Sequence, residues 1–200
     1  MLNAWAKRAL DLTAAVVGIV LFLPIFFGCC VLIKLDSPGG VFFRQVRVGQ
    51  RGRLFRIVKL RTMIVGAVSM GSGITAAGDN RITKVGRMLR RTKLDEIPQL
   101  WNVLIGDMSI VGPRPEIPKY VALYTAEQRR VLDLRPGITD EASIEFLSEE
   151  RQLAAAEDPE KYYVEYCIPR KIQINTDYAG RSNVIRDFGV IFRTIKLIWL

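Results

Sequence analysis

From Leu12 to Ile33 the chain carries no charged residue. As a straight helix this run extends about 33 Å, enough to cross the hydrocarbon core of a bilayer. Pro24 stands near its middle, where it removes a helix hydrogen bond and bends the axis. Each half is then only about 14 to 18 Å long. Lys7 and Arg8 precede the run, and Lys34, Arg44, Arg47, Arg51 and Arg53 follow it. Basic flanks favour the cytoplasmic side, so both ends ask for the same face. A helix–break–helix hairpin that enters one leaflet and returns satisfies both observations; a single spanning helix is the competing reading. A cleaved signal peptide is disfavoured, because Phe26 and Phe27 stand where small residues are wanted and no Ala-x-Ala site follows.

A second membrane signal closes the chain. In Ser182–Leu200, Val184, Phe188, Ile191, Phe192, Ile195 and Trp199 recur at helical spacing, with Arg186, Arg193 and Lys196 between them. Such a helix either packs on a core or lies in the headgroup layer.

Charge narrows the chemistry. The net charge is +9, and thirteen Lys or Arg lie between Pro38 and Leu94, against the single acid Asp79. A basic field of this density calls for an anionic ligand or an anionic surface. Residues 141–166 carry eight acids against Arg151 and Lys161, so the excess belongs to the middle of the chain. There is no histidine, which excludes imidazole proton transfer, His-containing triads and His-bearing zinc sites. Cys29, Cys30 and Cys167 show neither metal-ligand nor disulfide spacing and read as reduced thiols.

Val41–Phe43 and Leu54–Val58 read as short strands around the turn Gly49-Gln50-Arg51-Gly52. The Gly-, Ala- and Ser-rich stretch 65–80 reads as a mobile loop. A helix is expected over Arg81–Arg91. A second begins near Leu94, with Leu94, Ile97, Trp101 and Leu104 as its buried stripe and Asp95 at or beside the N-cap. An acid pair at a helix start is usually only a cap. Here Arg90 and Arg91 lie one turn upstream, and Val111-Gly112-Pro113-Arg114-Pro115 forms a stiff loop that aims another guanidinium. The helix start itself attracts phosphate. A carboxylate attacks phosphorus once cations neutralise the phosphate, and a second carboxylate beside it can share Mg²⁺.

These segments resemble the monotopic phosphoglycosyl transferases, also called the bacterial sugar transferase family. The match comprises Phe43-Arg44-Gln45-Val46-Arg47-Val48-Gly49, Lys59-Leu60-Arg61-Thr62-Met63 and Asp79-Asn80-Arg81-Ile82-Thr83. It continues through Leu94-Asp95-Glu96-Ile97-Pro98-Gln99-Leu100-Trp101-Asn102-Val103-Leu104, Gly106-Asp107-Met108-Ser109-Ile110-Val111-Gly112-Pro113-Arg114-Pro115 and Arg135-Pro136-Gly137-Ile138-Thr139. The resemblance implies transfer of a sugar phosphate from a UDP-sugar to polyprenyl (undecaprenyl) phosphate with release of UMP, the first membrane step of exopolysaccharide or other glycoconjugate assembly. It implies Asp95 as the nucleophile of a covalent phosphosugar intermediate and Glu96 as its assistant through Mg²⁺ or proton handling, so that both carboxylates form the metal site. Lys59, Arg90, Arg114 and Arg135 match positions near the phosphates. The implied location is the cytoplasmic face of a bacterial inner membrane, with membrane lipids as partners and no nucleic acid.

The fold expected is α+β: a re-entrant N-terminal helix hairpin over 1–36 with Pro24 at its break, a catalytic domain with a small β-hairpin over 37–140, and a C-terminal extension over 141–200 with an acidic segment and a basic amphipathic helix. Without the further spanning helices of larger relatives, the chain is expected to be a minimal catalytic unit. Departures from the pattern are Leu23-Pro24, where many members carry Ser-Pro, and Asp140-Glu141-Ala142-Ser143, where members often continue Gly-Leu-Ala-Gln. The alternative, from another class, is a membrane-anchored basic module for nucleic acid or anionic lipid, which the charge supports but the lack of interleaved aromatics opposes. Oligomeric state is not readable from the sequence.

Overall fold

A computed structural model describes residues 2–70 and 73–199. Helix α1, Leu2–Asp36, runs as one helical element through Pro24. The proline forfeits only its own bond to the carbonyl of Val20, and an otherwise uninterrupted apolar sequence continues the helix on both sides. The expected division into two helices is therefore not seen.

The strands β1, Phe42–Val48, and β2, Leu54–Leu60, pair antiparallel, with Phe42 opposite Leu60 and Val48 opposite Leu54. Both outrun the expected limits. Arg51 takes a left-handed conformation (φ 56°) in the turn between them. Helix α2, Lys84–Arg91, is followed by a 3-10 turn at Leu94–Glu96 and by α3, Gln99–Leu104. A short parallel pair, β3 (Ser109–Val111) with β4 (Gly137–Thr139), went unforeseen because three-residue strands leave no periodicity to read. At their crossing the backbones touch: a Cβ on Gly137 would lie 2.1 Å from Gly112 N, so only glycine fits. The remainder is helical: α4 (Pro118–Val121), α5 (Glu141–Glu145), α6 (Glu149–Ala155), α7 (Pro159–Tyr162), a π-helical turn at Tyr163–Cys167, α8 (Ile168–Ala179) and α9 (Val184–Trp199).

One hydrophobic cluster draws on every region: Ala15 from α1, Phe55 and Ile57 from β2, Val103 from α3, Tyr178 from α8 and Val190 from α9. The stripe expected for α3 holds in part: Leu94 and Leu104 pack, half-buried, against hydrophobic clusters, but Trp101 is 57% exposed, whereas Gln99, Asn102 and Val103 are buried. The reason is the open edge of β2: Asn102 accepts from Val58 N (3.1 Å) through Oδ1 and donates from Nδ2 to Arg56 O (2.9 Å). Its amide completes the ladder as a third strand would, and so the polar face of α3 turns inward.

Helix α1 lies against this body at both ends. Near its start, Arg8 donates to Val103 O (2.9 Å) and Leu104 O (3.1 Å), and buried Asp11 accepts from Ser109 Oγ (2.9 Å) and Ile110 N (3.0 Å). At its end, Cys29 and Ile33 pack on Leu60 and Leu89, and Asp36 accepts from Val85 N (3.1 Å). Between those ends an apolar face, including Val16, Val20, Leu21 and Phe27, is exposed. On α9, Asp187 and Val190 are buried while Ile185, Phe188, Phe192 and Ile195 face outward. The side chain of Trp199 lies outside the described residues.

Several basic residues do structural work. Arg61 clamps the bend after α1 through Gly40 O, Ser37 Oγ and Ser37 O. Arg81 grips Asp79 together with the carbonyls of Ala67 and Ile74 (each 3.1 Å), and Ala77 N donates to Glu150 O (2.8 Å). The stretch expected to be a mobile loop is thus pinned at several points; residues 71–72 lie outside the described residues.

Candidate active site

Local chain geometry builds the site. Thr83 caps α2, its Oγ1 accepting from Gly86 N (2.9 Å). Gly86 lets the helix meet the strand end, since a Cβ there would lie 2.0 Å from Thr62 O. Arg90 and Arg91 occupy the last turn of α2, where cations suit the helix dipole. Lys93 then takes a left-handed conformation (φ 57°), a rare state for a lysine. That reversal folds the Leu94–Glu96 turn back beside β2. Asp95 is not an N-cap: α3 begins after Pro98, whose missing N–H interrupts the ladder, and the preceding residues close with 3-10 bonds, Glu96 N to Lys93 O at 3.1 Å and Ile97 N to Leu94 O at 3.3 Å. The phosphate attraction expected of a helix start therefore has no basis in this geometry.

The two carboxylates have opposite surroundings. Glu96, 8% exposed, receives Lys59 Nζ at 2.8 Å and Arg114 Nη2 at 2.6 Å on one oxygen, Oε1. Its other oxygen meets Arg114 Nη1 only at 3.5 Å. Asp95 is 6% exposed, yet its Oδ1 is buried with no hydrogen-bond partner among the described residues. Burial pushes the Asp95 carboxyl above its ordinary range; Lys59 opposes that rise and Glu96 adds to it. Burial acts in the same direction on Glu96, but Arg114 and Lys59 together outweigh it and hold that carboxyl well below the usual range. Burial lowers the Lys59 ammonium despite Glu96, and the Arg114 guanidinium is raised by Glu96. One carboxylate is thus locked as a charged anchor while its neighbour keeps an unpartnered oxygen.

These groups line a cavity of about 1640 Å³. Arg90 reaches it, with Nε on Thr62 Oγ1 (3.0 Å) and Nη1 near Glu150 Oε1 (3.3 Å). Lys59, Arg90 and Arg114 are therefore gathered with Asp95 and Glu96. Arg135 is not among the lining residues; its carbonyl packs beneath Gly112, where a Cβ would meet it at 2.3 Å. Pro24, near the middle of α1, is not among the lining residues either, although Phe22 of the same helix is. Cations and acids that sequence reasoning passed over complete the walls. Arg47 donates to Pro115 O (2.9 Å) and pairs with Glu116 (3.6 Å), which also accepts from the Tyr163 hydroxyl. Arg47 stood within a quoted segment, but as one of many arginines it had no distinguishing mark. Tyr163 and Glu150 come from the acidic region, and only the tertiary fold brings them here.

Among the described residues no group of three or more His, Cys, Asp or Glu side chains gathers to hold a metal. The unpartnered Asp95 Oδ1 and the weakly bound Glu96 Oε2 are nonetheless oxygen donors of the kind Mg²⁺ takes, since it commonly uses one or two carboxylates and completes its shell with phosphate oxygens and water.

Comparison with known proteins agrees in kind. The family model described as bacterial sugar transferase matches residues 2–200. The chain is 38% identical, over 98% of its length, to a UDP-N-acetylgalactosamine-undecaprenyl-phosphate N-acetylgalactosaminephosphotransferase of Aeromonas hydrophila, and spans 44% of that protein. It is 38% identical, over 94% of its length, to a UDP-glucose:undecaprenyl-phosphate glucose-1-phosphate transferase of Caulobacter vibrioides, of which it spans 68%. It is 30% identical, over its whole length, to the exopolysaccharide production protein ExoY of Rhizobium meliloti, of which it spans 88%.

Proposed function

The chain belongs to the bacterial sugar transferase family, and from that membership we propose that it transfers a sugar 1-phosphate from a UDP-sugar to undecaprenyl phosphate. The relatives named above supply the donor and acceptor classes. The observation that carries the chemistry is the buried, unpartnered Asp95 Oδ1 beside a Glu96 already neutralised by two cations. An oxygen with no hydrogen bond to break is the better nucleophile, and the cations offset the charge of an arriving diphosphate.

In the first step Asp95 Oδ1 bonds to the β-phosphorus of the donor, and the bond from that phosphorus to the bridging oxygen breaks. UMP departs with the bridging oxygen and the electron pair, leaving the sugar phosphate esterified to Asp95. In the second step a phosphate oxygen of undecaprenyl phosphate bonds to the same phosphorus and Asp95 leaves as carboxylate. Neither step needs a net proton transfer, which suits a site without histidine. Lys59 and Arg114 hold Glu96 and face the phosphates, and Arg90 offers a further guanidinium. Mg²⁺, held by Asp95 and Glu96 when bound, supplies further charge neutralisation.

The acceptor requires a site at lipid depth. Residues Trp5–Asp36 form a helix long and apolar enough to cross a membrane, yet both ends of α1 dock on the same body through Arg8 and Asp36. That docking supports shallow entry into one leaflet with a bend at Pro24, and with it a catalytic body on the cytoplasmic face of a bacterial inner membrane. The outward Phe188, Phe192 and Ile195 of α9 supply a second lipid-facing surface. The test is a panel of UDP-sugars with undecaprenyl phosphate and Mg²⁺, read as UMP release. One donor is expected to turn over; no release with any donor contradicts the proposal.

A further inference from the structure

The fold buries Asp140 to 2% exposure at a junction of three elements. Its Oδ2 accepts from the backbone N–H of Arg114 (2.8 Å) and from Asn175 Nδ2 of α8 (3.1 Å), and its Oδ1 accepts from Ser143 N at the start of α5. The neighbouring backbone strengthens the tie, with Gly112 N on Thr139 O and Gly137 N on Pro113 O, each at 3.0 Å. From this anchored loop the Arg114 side chain, 41% exposed, extends 2.6 Å from Glu96.

We propose that Asp140 is a positioning residue for Arg114, fixing the backbone from which that guanidinium reaches the phosphates and linking its aim to α5 and α8. The physical argument is geometric. The long Arg114 side chain amplifies any shift of its own backbone, and a carboxylate accepting three N–H donors at once defines that backbone more tightly than a neutral acceptor. Asparagine offers the same shape, but turns an N–H₂ toward a donor and breaks at least one of the three bonds. The link also makes the C-terminal helices part of the phosphate site: a shift of α8 is felt at Arg114 through Asn175 and Asp140.

The inference rests on the proposed reading of Arg114 as a phosphate ligand, and its test is a double-mutant cycle on the full chain in detergent. Affinity for inorganic pyrophosphate is measured by calorimetry in wild type, Asp140→Asn, Arg114→Ala and the double variant. Asp140→Asn is expected to weaken binding about fivefold or more, and to change it less than about twofold once Arg114 is alanine. Equal weakening in both backgrounds, or no weakening in a folded Asp140→Asn protein, overturns the inference. Asn175→Ala, which removes one of the three donors, serves if Asp140→Asn does not fold; a smaller loss with the same dependence on Arg114 is expected, and a loss independent of Arg114 refutes it. Failure of the transferase reading shows separately, as wild type that binds pyrophosphate but releases no UMP. Wild type that binds no pyrophosphate overturns both.

Discussion

Asp95 and Glu96 are consecutive, share one 3-10 turn and are almost equally buried, yet Glu96 Oε1 receives two cations while Asp95 Oδ1 receives no hydrogen bond. The pair divides into an anchor and a reactive group. Replacements at the two positions must therefore differ in kind.

Asp95→Asn removes no hydrogen bond from Oδ1 and relieves a buried charge. It is expected to leave the melting temperature unchanged or raised, while UMP release falls by about a thousandfold or more. Glu96→Gln leaves Lys59 and Arg114 without their counter-charge. It is expected to cost about 2 kcal/mol, less than a fully buried pair because Arg114 is 41% exposed. Thermal unfolding of both variants beside a UMP assay separates the two roles.

Arg90 faces the cavity but is engaged by Glu150 at 3.3 Å. Glu150→Ala frees the guanidinium and is expected to lower KM for the donor a fewfold, whereas Arg90→Ala raises it. Steady-state kinetics with the donor varied checks both directions. An unchanged KM in each variant removes Arg90 from the donor site.

On the proposed reading Mg²⁺ has only the two carboxylates Asp95 and Glu96 as protein ligands, so it is expected to bind together with the donor phosphates. Chelation with EDTA is expected to abolish UMP release without shifting the melting temperature of the protein alone. Mg²⁺ and UDP-sugar together are expected to raise that temperature more than either raises it singly. A large destabilisation by EDTA without donor contradicts this account.

The proposed shallow insertion requires the start of α1 and the C-terminal helix α9 to lie on one side of the membrane. Single cysteines introduced at Ala4 and Lys196 are expected to react with a membrane-impermeant reagent in inverted vesicles and not in intact spheroplasts. Labelling of the two positions from opposite sides establishes a spanning helix instead.

The legible parts of this fold were those in which residue type alone carried the signal. The β1–β2 hairpin and α2 followed from alternation, turn residues and helical spacing, and the carboxylate pair with Lys59, Arg90 and Arg114 followed from charge density and motif. On α3 hydrophobic spacing points correctly to Leu94 and Leu104 but not to Trp101, because the unpaired edge of β2 requires the amide of Asn102. Replacing Asn102 with Leu is accordingly expected to cost about 2–4 kcal/mol by leaving Val58 N–H and Arg56 C=O unpaired. Asp140, Glu150 and Tyr163 carry no mark as site residues for a different reason: their partners there, Arg114, Arg90 and Glu116, lie 26, 60 and 47 positions away in sequence, and only the folded chain supplies the neighbour. Arg135 shows the converse, a residue inside a quoted motif whose neighbours Pro136 and Gly137 serve a backbone crossing at Gly112.

The most direct measurement is to incubate the protein with UDP-sugar labelled in the β-phosphate, without acceptor, then quench, digest and map the adduct by mass spectrometry. The account predicts stoichiometric UMP and a sugar phosphate on the peptide containing Asp95, absent in Asp95→Asn and discharged by undecaprenyl phosphate. A label on any other residue, or turnover that begins only when donor and acceptor are bound together, contradicts it.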